Sequence, residues 1–204
     1  MHKEILSKEQ VELLPFLKKV SKDFGLVGGT AIAFHLGHRK SIDFDFFSYK
    51  EFNHQILKKN ISKIIIIDQV LVSRSNELTF FSNKVKITFF NYPHIIPYKD
   101  KFENIIKIPD LLTLAAMKAY ALGQRAKWKD YVDLYYIIKD FHSVDVIMKQ
   151  GVKLFKKEFN PKIFRTQLSY FDDINYQEKI TFLPGFKVDE KEVKKKMIEF
   201  SLGI

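Results

Sequence analysis

No cysteine occurs among the 204 residues. A disulfide framework and any thiolate metal site are therefore excluded, and a reducing compartment fits the composition. Also missing is any apolar run long enough to span a bilayer, and the first residues, MHKEILSKEQ, are too charged for a signal peptide. A soluble, cytoplasmic chain with no membrane partner is expected. Proline and glycine are sparse, at six and eight copies, and neither a flexible linker nor an internal repeat interrupts the chain. Acid is in deficit: 24 Asp and Glu stand against 34 Lys and Arg, a net charge of +10. That excess suits a polyanionic partner such as RNA or DNA, or an acidic protein, and a lysine-rich solubilising surface fits it equally well.

What the chain has in quantity is apolar and aromatic surface. Hydrophobic residues make up 46 % and phenylalanine alone contributes 20 copies, enough for one sizeable domain or two small lobes sharing a core.

The organising stretch is VGGTAIAFHLGHRKSIDFDFF, residues 27–47. Gly28 and Gly29 follow a short apolar strand and allow a sharp turn and close approach of a ligand to the backbone. Thr30 then opens a short apolar helix ending at a Gly37 cap. A helix N-terminus favours phosphate through its N–H groups and dipole. Beyond it, Ile42-Asp43-Phe44-Asp45-Phe46-Phe47 alternates as a strand. Ile42, Phe44 and Phe46 are expected in the core. Asp43 and Asp45 share the other face, with Cα atoms roughly 6.5–7 Å apart. Two carboxylates so placed repel unless a cation joins them, and a hard oxygen-preferring ion suits them. A phosphate-binding turn followed by a carboxylate pair points to nucleotidyl or phosphoryl transfer.

In this order and spacing, with thirteen residues between Gly29 and Asp43, the stretch resembles the Gly-Gly/Ser then Asp-x-Asp/Glu signature of the nucleotidyltransferase superfamily, whose fold is polymerase-beta-like. The fuller wording is similar to the AbiEii/MenT branch, the toxin half of bacterial toxin–antitoxin pairs. His38, Arg39 and Ser41 belong to the GHRxSxDxDFF wording of that branch. Arg39 has the shape to clamp a phosphate bidentately or to balance the two aspartates. His35 and His38 lack a third ligand and read as structural or exposed.

Around this stretch, residues 7–23 read as a first helix, with Ser7 as N-cap, a bend at Pro15, and Val11, Leu14, Leu17 and Val20 as its buried stripe. A helix is expected over residues 49–60. The chain then turns β-rich. SKIIIIDQVL reads as a strand buried on both faces, and Ser82-Asn83 as the connection of a hairpin. A mixed sheet of about five strands results. In many members of the superfamily a third carboxylate comes from a later strand. The best strand here, residues 84–90, has Lys84, Lys86, Thr88 and Phe90 on one face and no acid, with Thr88 nearest the required place. Glu77 or Asp68 would have to reach in from elsewhere. The missing acid argues for one metal or a weakened enzyme.

From Lys107 the chain is helical. Lys118 falls on the apolar stripe of Leu111, Leu114, Ala115 and Leu122, so it needs an anionic partner or must extend to water. Asp110-Leu111, Ala116-Met117-Lys118, Arg125 and Lys129-Asp130-Tyr131-Val132-Asp133-Leu134 also resemble the AbiEii/MenT pattern. By that resemblance Lys118 contacts nucleotide phosphate and Asp130 orients it, while Asp133 caps or pairs locally. Farther on, three or four amphipathic helices are expected. Phe155, Phe159 and Phe164 read as core, and Lys153, Lys156, Lys157, Lys162 and Arg165 as solvated faces rather than an RNA surface.

The expected fold is thus α+β: a polymerase-beta-like nucleotidyltransferase mixed sheet with flanking helices over residues 1–106, then a helical C-terminal lobe over 107–204 that completes the active site. The expected function is Mg²⁺-dependent transfer of a nucleotide from an NTP, with Mn²⁺ as a substitute ion. Asp43 and Asp45 would bind the metal, Gly28, Gly29, Thr30, Arg39 and Ser41 the nucleotide, and Lys118 and Asp130 would complete the catalytic set. The resemblance implies a tRNA 3′ end or a protein hydroxyl as acceptor and an antitoxin protein as partner. The alternatives are a catalytically weak module of the same fold that binds nucleic acid or an antitoxin, and a small-molecule adenylyltransferase, which accounts less well for the positive charge.

Overall fold

The structure is a computed structural model describing all residues, Met1–Ile204. The chain divides into two compact units, Met1–Asp110 and Leu111–Ile204.

The first unit is built on a five-stranded mixed sheet. Its strands are β1 (Gly25–Val27), β2 (Asp43–Ser48), β3 (Gln69–Arg74), β4 (Glu77–Ser82) and β5 (Val85–Asn91), arranged β1-β2-β5-β4-β3. β2 and β5 run parallel; the other neighbours are antiparallel. The rise in phenylalanine count has one structural centre. Phe89 of β5 packs on Phe24 at 4.8 Å, Phe46 at 5.0 Å, and Phe16 and Phe80 at 6.3 Å between ring centroids. Rings from three adjacent strands and the N-terminal helices thus share one face of the sheet, each removing a large apolar area from water. A separate two-stranded ribbon, β6 (Asp100–Phe102) with β7 (Ile106–Ile108), follows; its Phe102 stacks on Phe34 at 3.9 Å.

Several details differ from the sequence expectations. The first helix is two, α1 (Lys8–Glu12) and α2 (Leu14–Val20). Pro15 lacks the N–H a helix interior would need and instead stands in the first turn of α2. The break rotates the stripe, so that Val11 is exposed while Gln10, Leu13 and Phe16 are buried beside Leu14 and Leu17. Ile42 is not core: it precedes β2 and is 70 % exposed. The isoleucine run is not a strand buried on both faces. Residues 62–68 form the irregular connection from α4 (His54–Ile61, capped by Asn53) to β3, and Ile66 is 79 % exposed. The sheet order explains this: β3 is an edge strand, so no doubly covered position exists there for the run to fill. The hairpin turn is Asn83-Lys84, both with positive φ (49° and 64°), rather than Ser82-Asn83. Two consecutive left-handed residues are the requirement of a two-residue primed turn, whose twist matches that of the strands it joins.

The second unit contains α5 (Leu111–Leu122), α6 (Trp128–Asp140), α7 (Val144–Phe155), α8 (Pro161–Gln167) and α9 (Glu190–Leu202). Phe155, Phe159 and Phe164 are buried as expected, with Val193 and Met197 of α9. Asp189 caps α9 by accepting from the Lys191 N–H at 2.7 Å. Arg165 forms an ion pair with Asp145 and donates to the Ser201 carbonyl at 2.9 Å, a local structural role. No helix in the chain is long and apolar enough to cross a membrane.

The non-helical stretch between α8 and α9 is pinned to α6. Tyr131 donates its hydroxyl to the Tyr170 carbonyl at 2.8 Å, the Asn175 N–H donates to the Ala126 carbonyl at 2.8 Å, and Glu178 pairs with both Lys127 and Lys129. Burial pushes the Glu178 carboxyl up, but the two lysine hydrogen bonds and charges outweigh it and bring its pKa down to about 2 from 4.5. A depressed pKa contributes stability that is full above the unfolded value and is lost as pH falls toward the folded one. Wild type should therefore lose stability between pH 4.5 and 2 more steeply than Glu178→Gln, as read by urea unfolding across that range. Equal slopes would show that the pair contributes nothing.

Candidate active site

β2 alternates strictly: Phe44 and Phe46 are fully buried, while Asp43, Asp45 and Phe47 are half-buried on the opposite face. Pairing with β1 sets Val27 level with Asp45, so the chain leaves β1 beside the carboxylates and turns into α3 (Gly28–Leu36). The helix starts at Gly28 itself, two residues before the expected Thr30, and closes on Gly37 in the left-handed conformation. Gly28 has φ +72°, and a Cβ there would lie 2.6 Å from Asp45 Oδ2. Backbone conformation and the nearness of the carboxylate both require glycine. At Gly29 the crowding comes from a side chain: the guanidinium of Arg39 lies 2.5 Å from where its Cβ would stand.

Thr30 is buried, and its hydroxyl donates to the Asp43 carbonyl and hydrogen-bonds the Ser41 hydroxyl at 2.8 Å. These two side chains therefore brace the start of β2. Arg39 is also buried and donates to the Lys40 carbonyl at 3.1 Å. His35 bonds the Pro109 carbonyl at 3.0 Å and His38 is fully buried, so neither histidine is exposed. The first turn of α3 presents the N–H groups that lack intrahelical acceptors next to this carboxylate face. Gly28, Gly29, Thr30, Arg39, Ser41, Asp43 and Asp45 are thus brought together in one place.

The neighbouring strand completes the face. β5 sets Lys86 level with Asp43 and Thr88 level with Asp45. Lys86 Nζ lies 3.0 Å from Asp43 Oδ2, a contact that sequence alternation half reveals, because it put Lys86 on the face of Thr88 without showing which strand lay beside it. Glu77 does not supply the missing acid: its carboxylate is held by Arg74 at 2.6 Å and by the Thr79 hydroxyl at 3.1 Å. Asp68 stands outside the strands and is exposed. No group of three or more His, Asp or Glu side chains is arranged so that it could hold a metal ion. Two adjacent carboxylates beside a helix N-terminus have the donor chemistry for a single hard cation, with room for ligands from substrate and water.

In the second unit Lys118 is 7 % exposed, so it does not extend to water. It forms ion pairs with Asp130 and, at 3.1 Å, with Asp133 Oδ2, both fully buried. Asp133 therefore shares the lysine instead of capping. Asp130 keeps one oxygen, Oδ2, buried without a hydrogen-bond partner. A buried ammonium flanked by two carboxylates is held in a fixed position by charge on both sides.

Comparison with known proteins follows the same geometry. Residues 17–199 match the family model described as the nucleotidyl transferase AbiEii toxin of type IV toxin–antitoxin systems. The chain belongs to the AbiEii nucleotidyltransferase toxin family. It is 32 % identical to an uncharacterized protein of Aquifex aeolicus over 96 % of this chain and 97 % of that one. Among solved structures it resembles a putative nucleotidyltransferase from Helicobacter pylori (TM-score 0.56, 16 % identity, 97 % and 95 % of the two chains). It also resembles MenT4, a nucleotidyltransferase toxin of Mycobacterium tuberculosis (TM-score 0.61, 12 % identity, 96 % and 83 %). These likenesses establish the nucleotidyltransferase fold, and the family match makes this AbiEii member a nucleotidyltransferase.

Two contrasts test the local physics. Gly28→Ala should cost about 1–2 kcal/mol of stability, the penalty of a left-handed non-glycine residue, whereas Gly29→Ala, displacing only the end of the Arg39 side chain, should cost less. Lys118→Met leaves two buried carboxylates uncompensated and should cost about 3–5 kcal/mol. Removing Lys99, which pairs with Asp110 at 2.7 Å but is exposed, should cost under ~1 kcal/mol. Denaturant midpoints of the four variants decide both comparisons.

Proposed function

We propose that this protein transfers a nucleotide from an NTP to the 3′ end of an RNA, tRNA above all, in a reaction that depends on Mg²⁺. The observation that carries this reading is the placement of Asp43 and Asp45 on one face of β2, beside the turn that opens α3. Mg²⁺ held by Asp43 and Asp45, or Mn²⁺ in its place, would neutralise and align the phosphate oxygens of the substrate. Gly28, Gly29 and the first N–H groups of α3 would receive the triphosphate, and Arg39 would lower the cost of charge developing on it. Thr30 and Ser41 act in this reading by fixing the start of β2, so that Asp43 keeps its position. Lys118 is assigned the role of phosphate contact and Asp130 that of orienting it. The acceptor hydroxyl oxygen forms a bond to the α-phosphorus as the bond to the bridging oxygen breaks and pyrophosphate leaves, and the hydroxyl proton passes to solvent water.

An RNA acceptor is chosen over a protein hydroxyl because a net charge of +10 suits a polyanion; charge on a solubilising surface would be indifferent to the acceptor, which the labelling below distinguishes. The family match supports a toxin role; on this reading the protein acts in the cytoplasm and is opposed by an antitoxin protein.

Incubating the purified protein with Mg²⁺, each α-³²P-labelled NTP in turn and total tRNA tests the proposal, with Asp43→Ala and Asp45→Ala beside it. Label should move to tRNA with wild type and fall by about 10²–10³-fold in either variant, the loss expected for a group that stabilises transition-state charge. Label on protein would overturn the RNA acceptor. Transfer unchanged in Asp43→Ala would overturn the site, and no transfer with any NTP, in protein that still binds tRNA, would favour a binding module.

A further inference from the structure

Two strands form the carboxylate face, and the second contributes cationic rather than acidic character. Parallel pairing sets Lys86 of β5 level with Asp43, and Nζ lies 3.0 Å from Asp43 Oδ2. The two side chains are 35 % and 18 % exposed, so the pair is partly desolvated yet remains within reach of water and substrate. Two residues on, Thr88 stands level with Asp45, and its hydroxyl lies 3.4 Å from the Thr79 hydroxyl of β4, which can accept from it. The positions of β5 beside the carboxylates thus carry an ammonium and a hydroxyl. An ammonium has donors only and no lone pair for a metal, and a neutral hydroxyl is a poor substitute for a carboxylate at a hard cation.

We infer that Lys86 is a resident monovalent cation on Asp43, which takes the side where a second divalent ion would bind and limits the aspartate pair to one. The inference rests on Asp43 and Asp45 being the metal ligands. Its physical basis is charge. Two carboxylates on one strand face repel, and an ammonium at hydrogen-bond distance relieves that repulsion before any metal arrives. Once a divalent ion binds, Lys86 opposes it in two ways, by competing for Asp43 Oδ2 and by placing a like charge beside it. A second ion sharing Asp43 would meet that charge with no acid on β5 to offset it. A lysine that swung away freely to water would leave the number of bound ions and their affinity unchanged.

Mn²⁺ binding to the full chain, counted by electron paramagnetic resonance of the free ion, tests this without reference to turnover. Wild type should bind one Mn²⁺. Lys86→Met should bind one Mn²⁺ about tenfold more tightly, since one unfavourable charge contact is removed. Lys86→Glu should bind two. Thermal unfolding confirms that each variant is folded, and Lys86→Met alone carries the test where charge reversal unfolds the chain. Two ions bound by wild type, or an affinity in Lys86→Met equal to wild type, would overturn the role of Lys86 while leaving the aspartate site standing. No Mn²⁺ bound by wild type would overturn the metal reading of Asp43 and Asp45, and this inference with it.

Discussion

The alternation of β2 is the constraint on which the candidate site depends. Phe44 and Phe46 are fully buried, and Phe46 stacks on Phe89 at the centre of the aromatic core. A slip of one residue would turn both rings to the opposite face and bury two carboxylates in their place, at a cost no local rearrangement offsets. Core packing therefore fixes the register, and the register fixes Asp43 and Asp45. The same pairing determines what lies beside them: Val27 and the turn into α3 on one side, Lys86 and Thr88 on the other. Chemistry at this face is set by hydrophobic packing on its reverse.

Around that strand the polar side chains are mostly engaged in positioning. Thr30 and Ser41 tie the helix start to the Asp43 backbone. Glu77 of β4, an acid by type, is held by Arg74 of β3 and by Thr79 of its own strand. In the helical unit Lys118 is fixed by Asp130 and Asp133. Such a buried cluster is weak evidence for stability as a design, because desolvation opposes the attraction, but breaking it by removing one member is costly. The two ion pairs give Lys118 one fixed position in the helical unit.

Much of this was legible in the sequence, and the reasons differ by element. The Gly-Gly-Thr turn and the Asp-x-Asp strand were readable because each depends on local chemistry: absence of a Cβ at a turn, and a two-residue period in a strand. Burial of Phe155 and Phe164 was legible from the amphipathic helices that carry them, α7 and α8, and Phe159 is buried between those helices. The isoleucine run misled because composition reports preference for a strand but not its place in the sheet, and at the edge beyond β4 there was no second layer to cover it. Ile42 misled for a related reason, since it precedes the ladder that would have turned it inward. Lys86 and Asp133 needed knowledge of which elements become neighbours. Parallel pairing of β2 with β5 joins residues 43 positions apart, and no periodicity within either strand announces it.

The central claim is that Asp43 and Asp45 are a metal-binding pair serving the nucleotide. Crystals grown with Mn²⁺ and a non-hydrolysable NTP, measured at the manganese absorption edge, test it most directly. The account predicts one anomalous peak bonded to both carboxylates, with the triphosphate at the first turn of α3. A peak at the Asp130–Asp133 cluster instead, or nucleotide bound with no metal at the β2 carboxylates, would contradict it.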